Sequence, residues 1–108
     1  MKTPEESTQA VNPNEAVVAL DKPFARGNNT IDSLTLRKPA SGELRGVSLL
    51  DLMQMDVQAL SKVLPRISQP SLTAQEVSAM DPADLVACGV AVSGFLLQKS
   101  AKEASLAA

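Results

Sequence analysis

The sequence predicts an α+β fold in which an N-terminal β-hairpin packs against a small bundle of about three to five helices. Near the start of the chain, two apolar stretches rich in β-branched residues surround "RGNNT", whose residue types favour a tight turn. The rest of the chain repeats helix-start signals followed by apolar residues at helical spacing. Because a lone hairpin is marginally stable in water, we expect the helices to cover its apolar face.

The two ends of the chain are predicted to lie outside the domain. Residues 1–15 are rich in Pro, Asn and Glu and can bury little apolar surface, which predicts a disordered tail. Lys2 is followed by proline and glutamates where a signal peptide has an apolar run, so we expect a cytoplasmic protein. Residues 16–100 are predicted to form a single domain of the 108-residue chain, and residues 101–108 are expected to fray.

The hairpin is predicted to have strands near residues 17–24 and 30–37. In the second strand Leu34 and Leu36 share one face, the alternation of a sheet that is covered on one side. Pro23 cannot donate a hydrogen bond to a neighbouring strand. It therefore places the first strand at an edge or marks an irregularity there.

Two short helices are predicted after the hairpin. Ser41 is the expected N-cap of a first turn, in which the charge of Glu43 is favourable to the helix dipole. Ser48 with Asp51 is the N-cap pattern of a second helix. Its apolar stripe comprises Leu49, Leu52 and Met53.

A longer helix is predicted after Asp56, its expected N-cap. Its apolar positions are Val57, Leu60, Val63, Leu64 and Ile67. Pro65 lies inside this pattern and is expected to kink or end the helix, because its ring clashes with the preceding turn. The next residues, "SQPS", are predicted to be a loop.

Two further start signals precede the last helices. Thr73 with Glu76 is a capping box. In "DPAD", Asp81 is the expected N-cap and Asp84 the acidic first-turn residue of a final helix over residues 82–99. Its uncharged stretch "LVACGVAVSGFLL" has 13 residues, fewer than the roughly 18 of a membrane span. A buried helix is predicted, and no membrane partner.

No residues for catalysis, metal binding or cofactor binding are predicted, and the chain is not expected to be an enzyme. It has no histidine, and its single cysteine, Cys88, lies among apolar neighbours, so we expect an inert buried thiol. Asp81 and Asp84 are explained by helix capping. The net charge of −2 is spread over interspersed acids and bases, and two aromatic residues provide little for base stacking. We therefore expect no nucleic acid as a direct partner.

Small residues recur in the last helix, where Ala83, Ala87 and Ala91 are spaced four apart and Gly89 stands four before Ser93. Two interpretations fit this spacing. The residues allow close packing inside the domain, or they form a helix face that is covered when a partner or a second copy binds.

Several motifs taken in order resemble the phage tail assembly chaperone family of Mu-like contractile-tailed phages. They include "LDKPF", "GELRG", "LLDLMQMD" and, most specifically, "LTLRKPASGELRG" and "DPADL". The motif "LTLRKPASGELRG" contains Arg37, Pro39, Gly42 and Glu43. The resemblance covers residues 20–97, about three quarters of the chain.

The resemblance implies a non-catalytic assembly factor that acts in the host cytoplasm and is absent from the mature virion. Such a factor coats the tape measure protein and recruits tail tube subunits. The resemblance also implies a possible longer product made by frameshifting, with which the chain pairs, or a homo-oligomer. The alternative is a small structural or connector subunit that stays in the virion.

The hypothesis for the partner-binding surface combines one helix stripe with the far end of the last helix. Its residues are Leu49, Leu52, Met53, Leu96 and Leu97.

Overall fold

The computed structural model describes residues 13–97. Its elements are β1 (Glu15–Arg26), β2 (Asn29–Arg37), a 3₁₀ helix (Ser41–Leu44), α1 (Leu49–Met53), α2 (Val57–Ile67), β3 (Ser68–Gln69), α3 (Ala74–Ala79) and α4 (Pro82–Phe95). The predicted α+β fold, a hairpin with a small set of helices, is confirmed for these residues. Most of the predicted tail and the whole frayed end lie outside the described residues.

The sheet is antiparallel with the strand order β1-β2-β3. The predicted hairpin is confirmed, and Gly27 in its turn has a φ of +60°, which glycine adopts readily. The prediction of a loop over "SQPS" was wrong in its first half, because β3 pairs with β2 through Leu36↔Ser68 and Thr35↔Gln69. A segment of two residues has no periodicity from which a strand can be predicted.

A large bulge interrupts β1 at the position where Pro23 predicted an irregularity. Ala19 pairs with Ser33 and Phe24 pairs with Ile31, so residues 20–23 stand opposite a single residue of β2. The carboxylate of Asp84 lies beside this bulge. It accepts hydrogen bonds from the backbone N–H groups of residues 21 and 22, at 2.7 and 3.1 Å.

The 3₁₀ helix begins at Ser41, one residue earlier than predicted. Ala40, not Ser41, occupies the N-cap position, and the Ala40 N–H donates to Glu43 Oε1 at 2.9 Å. The side chain of Glu43 reaches back from the third helical position to the N–H of the N-cap residue, and no side chain of the N-cap residue bonds to the helix. Gly46, which follows this helix, has a φ of +78°.

The caps predicted for α1 and α2 are confirmed. The Ser48 hydroxyl accepts a hydrogen bond from the Asp51 N–H, and Asp56 Oδ2 accepts one from the Ala59 N–H. Helix α2 does not end at Pro65 but continues to Ile67. Its buried residues are Ala59, Leu60, Val63, Leu64 and Ile67.

The predicted capping box of α3 is confirmed, with reciprocal bonds between Thr73 and Glu76. Asp81 caps α4 through the Ala83 N–H. Helix α4 ends at Phe95, four residues before the predicted end. The Leu96 N–H donates to the Ser93 carbonyl at 3.1 Å, a tightened bond that is typical of a last helical turn.

The core lies between the sheet and the helices. Leu34 and Leu36 on β2 are fully buried, so the leucine face of the hairpin is covered as predicted. Helix α4 lies against β1, and α2 lies against β2 and α3. The other fully buried large side chains are Leu52, Leu60, Leu64, Val63, Val92 and Cys88.

Candidate functional site

A surface groove of about 480 Å³ lies at the C-terminal end of α4. It is bounded by the segment after β2, the 3₁₀ helix, the start of α1 and the last turn of α4. Its apolar lining consists of Pro39, Leu44, Val47, Leu49, Phe95, Leu96 and Leu97. Lys38, Ser41 and Arg45 complete the lining. The groove therefore combines an apolar lining with two cationic side chains.

A network of charged hydrogen bonds holds one wall of this groove. Arg37 at the end of β2 donates to both carboxylate oxygens of Glu43 on the 3₁₀ helix. Arg37 also donates to the Arg66 carbonyl, and Arg66 Nη1 donates to the carbonyls of Glu43 and Arg45 at 2.6 and 3.1 Å. The network ties β2 and the C-terminal end of α2 to the 3₁₀ helix.

The same network lowers the pKa of Glu43. The Arg37 guanidinium, together with the Ala40 N–H, lowers the pKa of Glu43 to about 2. Its carboxylate is therefore charged in the folded protein at neutral pH, and it already has cationic and N–H partners.

Three of the five predicted partner-binding residues meet in the groove. Leu49 is 55% exposed, and Leu96 and Leu97 are partly exposed beside it. Met53 is 50% exposed but does not line the groove. Leu52 is fully buried in the core, which corrects its assignment to the surface. Helix α1, on which it lies, contacts α2 and α4.

Other groove residues were not predicted. Phe95 is buried at the end of α4, while Leu44 and Val47 are half-buried on either side of Gly46. The groove brings Leu44, Val47 and Leu49 together with Phe95 from the other end of the chain. The apolar character of Leu44 and Val47 in an otherwise polar connection was the one available signal.

A second cavity, of about 440 Å³, lies at the other end of α4, between the β1 bulge and α3. Glu76, Asp81 and Asp84 line it, and each accepts hydrogen bonds from within the domain. Arg26 pairs with Glu76, which lowers the pKa of Glu76 below its usual range. The carboxylates of Glu76 and Asp84 therefore join α3 and α4 to β1, and that of Asp81 caps α4.

Helix α4 is covered on one face and open on the other. Gly89 is buried, and a Cβ at this position would lie 2.9 Å from Met55 Sδ, so this small residue does serve close internal packing. Val86 and Val90 are 55% and 58% exposed, and Ala83 and Ala87 on the same face are exposed. The first interpretation, close internal packing, is therefore confirmed for Gly89, and coverage of the exposed face by a partner or a second copy stays a prediction.

The single cysteine lies in the core and not at an accessible site. Cys88 is fully buried, as expected, and burial together with Asp84 raises its pKa to about 11. Among residues 13–97 there is no cluster of three or more metal-ligating side chains. Nor does any helix in that range have the length and apolar character to cross a membrane.

Residues 17–97 match the protein family described as phage tail assembly chaperone proteins, E, or 41 or 14. The chain belongs to this family. It is 50% identical to tail assembly protein E of Escherichia phage P2 over 86 residues, which are 80% of this chain and 94% of that protein. It is 51% identical to tail assembly protein E′ of the same phage over 83 residues, 77% of this chain and 58% of E′. No solved structure matches the chain.

Membership of the family gives the chain a role in phage tail assembly. The motifs that carried the resemblance are architectural in this fold. Arg37 and Glu43 of "LTLRKPASGELRG" join β2 to the 3₁₀ helix, and Asp81 and Asp84 of "DPADL" cap α4 and hold the bulge. The Arg37–Glu43 pair supports one wall of the groove, whereas Asp81 and Asp84 lie at the opposite end of α4.

Proposed function

We propose that this chain is a non-catalytic chaperone that binds the tape measure protein and helps to recruit tail tube subunits. The observation that carries the proposal is the groove at the end of α4, where leucines from two distant segments are exposed together. A groove with such a lining accepts the apolar side chains of an amphipathic helix, the mode in which helical segments are commonly captured.

The family supports the assembly role, and the groove supports the mode of binding. Exposed leucines rimmed by polar side chains are typical of an interaction surface. Coverage of a partner's apolar helix face prevents its self-association until the tube forms around it.

Leu49→Asp tests the groove directly. Leu49 is more than half exposed, so the change leaves the core intact and introduces a charge into the apolar lining. We expect capture of the tape measure protein in a pull-down to fall at least about tenfold. The matched control is Leu50→Asp, on the same helix, 64% exposed and outside the groove lining.

Circular dichroism establishes that both variants are folded. Equal capture by the wild type and Leu49→Asp would contradict the proposal, as would an equal loss in both variants. The buried Leu52 is unsuitable for this test, because a charge there would unfold the core.

We further propose that the chain acts in the host cytoplasm and leaves before the virion is complete. Mass spectrometry of purified virions distinguishes this role from that of a retained connector subunit. A chaperone is absent or scarce in the particle, whereas a subunit is present at a stoichiometric level.

The match to both E and E′ supports a further element of the proposal, pairing with a longer product that shares this domain. The same region of this chain covers 94% of E but 58% of E′, so E′ extends beyond the shared part. Co-purification of a longer protein carrying this sequence, during phage growth, tests the pairing.

A further inference from the structure

The cations of the described residues divide into two groups. Arg26, Arg37, Lys62 and Arg66 each donate to a carboxylate or a backbone carbonyl of the domain. Lys22, Lys38 and Arg45 have no such side-chain partner among residues 13–97. Two of these three, Lys38 and Arg45, line the groove.

Among residues 13–97, the groove lining contains no compensating acid. None of its lining residues is Asp or Glu. The nearest carboxylate along the chain, that of Glu43, is engaged by Arg37 and by the Ala40 N–H. Within the part of the chain that the structure describes, the groove thus presents two positive charges without an acidic partner beside an apolar lining.

From this charge pattern we infer that the groove selects amphipathic helices that carry Asp or Glu beside their apolar residues. The inference rests on the proposed function and adds the chemical class of the segment that is captured. Apolar side chains of the helix fill the lining, and its carboxylates pair with Lys38 and Arg45. Charges at the rim of an interface contribute specificity and association rate more than total affinity, so the selection acts between helices of similar apolar content.

Two designed helical peptides test the inference with the full chain. Both have leucines at i, i+3, i+4 and i+7, and the flanking positions are Glu in one peptide and Lys in the other. Fluorescence anisotropy measures their dissociation constants at about 50 mM and about 500 mM salt. We expect the Glu peptide to bind about tenfold more tightly at low salt, and the difference to shrink at high salt.

Charge reversal in the protein provides the second arm. Lys38→Glu and Arg45→Glu should each weaken binding of the Glu peptide about fivefold or more, and strengthen binding of the Lys peptide. The matched control is Lys22→Glu, which makes the same change of charge at an exposed, unpaired lysine of the second cavity. It should leave both affinities unchanged.

Equal binding of the two peptides, tighter binding of the Lys peptide, or binding of neither would overturn the inference. So would an equal effect of Lys22→Glu and Lys38→Glu, which would report net charge alone. If Leu49→Asp abolishes capture of the tape measure protein while the charge reversals change nothing, the proposed function stands and the charge selection falls.

Discussion

Asp84 joins two parts of the chain that lie far apart in sequence. Its side chain is 3% exposed and accepts hydrogen bonds from two consecutive N–H groups of the β1 bulge. These N–H groups belong to Asp21 and Lys22, where the bulge interrupts the pairing of β1 with β2. Asp84 therefore stabilises the bulge and docks it onto the first turn of α4.

Asp84→Ala should lower the free energy of unfolding by about 2 kcal/mol, because two N–H groups lose their acceptor in a partly buried setting. Asp81→Ala removes only a cap and should cost about 1 kcal/mol. Urea denaturation of the two variants measures both values. A smaller loss for Asp84→Ala than for Asp81→Ala would show that the bulge does not depend on this carboxylate.

The two aspartates also show what a sequence reveals at the residue scale. The cap at Asp81 was predictable because its partner lies two residues away. The role of Asp84 was not, because its partners lie 62 and 63 residues away. Similarly, the helical spacing of Leu49 and Leu52 predicted a stripe but could not tell which leucine is buried.

At the scale of elements, the connection from sheet to helices depends on one acid. Glu43 accepts from Arg37 on β2 and from the Ala40 N–H, while its carbonyl accepts from Arg66 on α2. The pKa of Glu43 is about 2 in the folded protein, against an ordinary value of 4.5. A depressed folded pKa means that its contribution to stability is complete above the ordinary value and is lost as the pH falls towards 2.

Glu43→Gln should therefore be less stable than the wild type at neutral pH. The difference in free energy of unfolding should shrink as the pH falls from about 5 to about 2, because the wild type then loses the charge that the variant lacks. Arg37→Gln should reduce the same pH-dependent part, since Arg37 is the largest cause of the shift. Denaturation at a series of pH values measures the free energy of unfolding of each protein. A difference between the wild type and Glu43→Gln that stays constant or widens on acidification would contradict this account.

Element boundaries were less predictable than element types. Helix starts with a side-chain cap, at Ser48, Asp56, Thr73 and Asp81, were all predicted. The third strand was not, because its existence depends on pairing with β2 rather than on its own residues. The end of α4 lacks a strong stop signal in the sequence, and its last turn tightens at Leu96.

At the scale of the whole molecule, the groove is a product of topology. Residues 38–49 form one wall and residues 95–97 the other, and α2 and α3 lie between them in the chain. The α+β class followed from two periodicities in the sequence, but their relative placement depends on long-range packing. Leu49, Leu96 and Leu97 could be predicted as binding residues from the apolar patterns of their own segments. Lys38 and Arg45 could not, because their place in the lining depends on how the segments pack.

Amide hydrogen exchange of the chain, alone and bound to the tape measure protein, tests the central claim that this groove is the docking site. We predict slower exchange in the bound state over residues 43–50 and 93–97, with little change over residues 20–25 and 74–81 around the second cavity. Protection confined to the second cavity, with unchanged exchange at the groove, would contradict the claim.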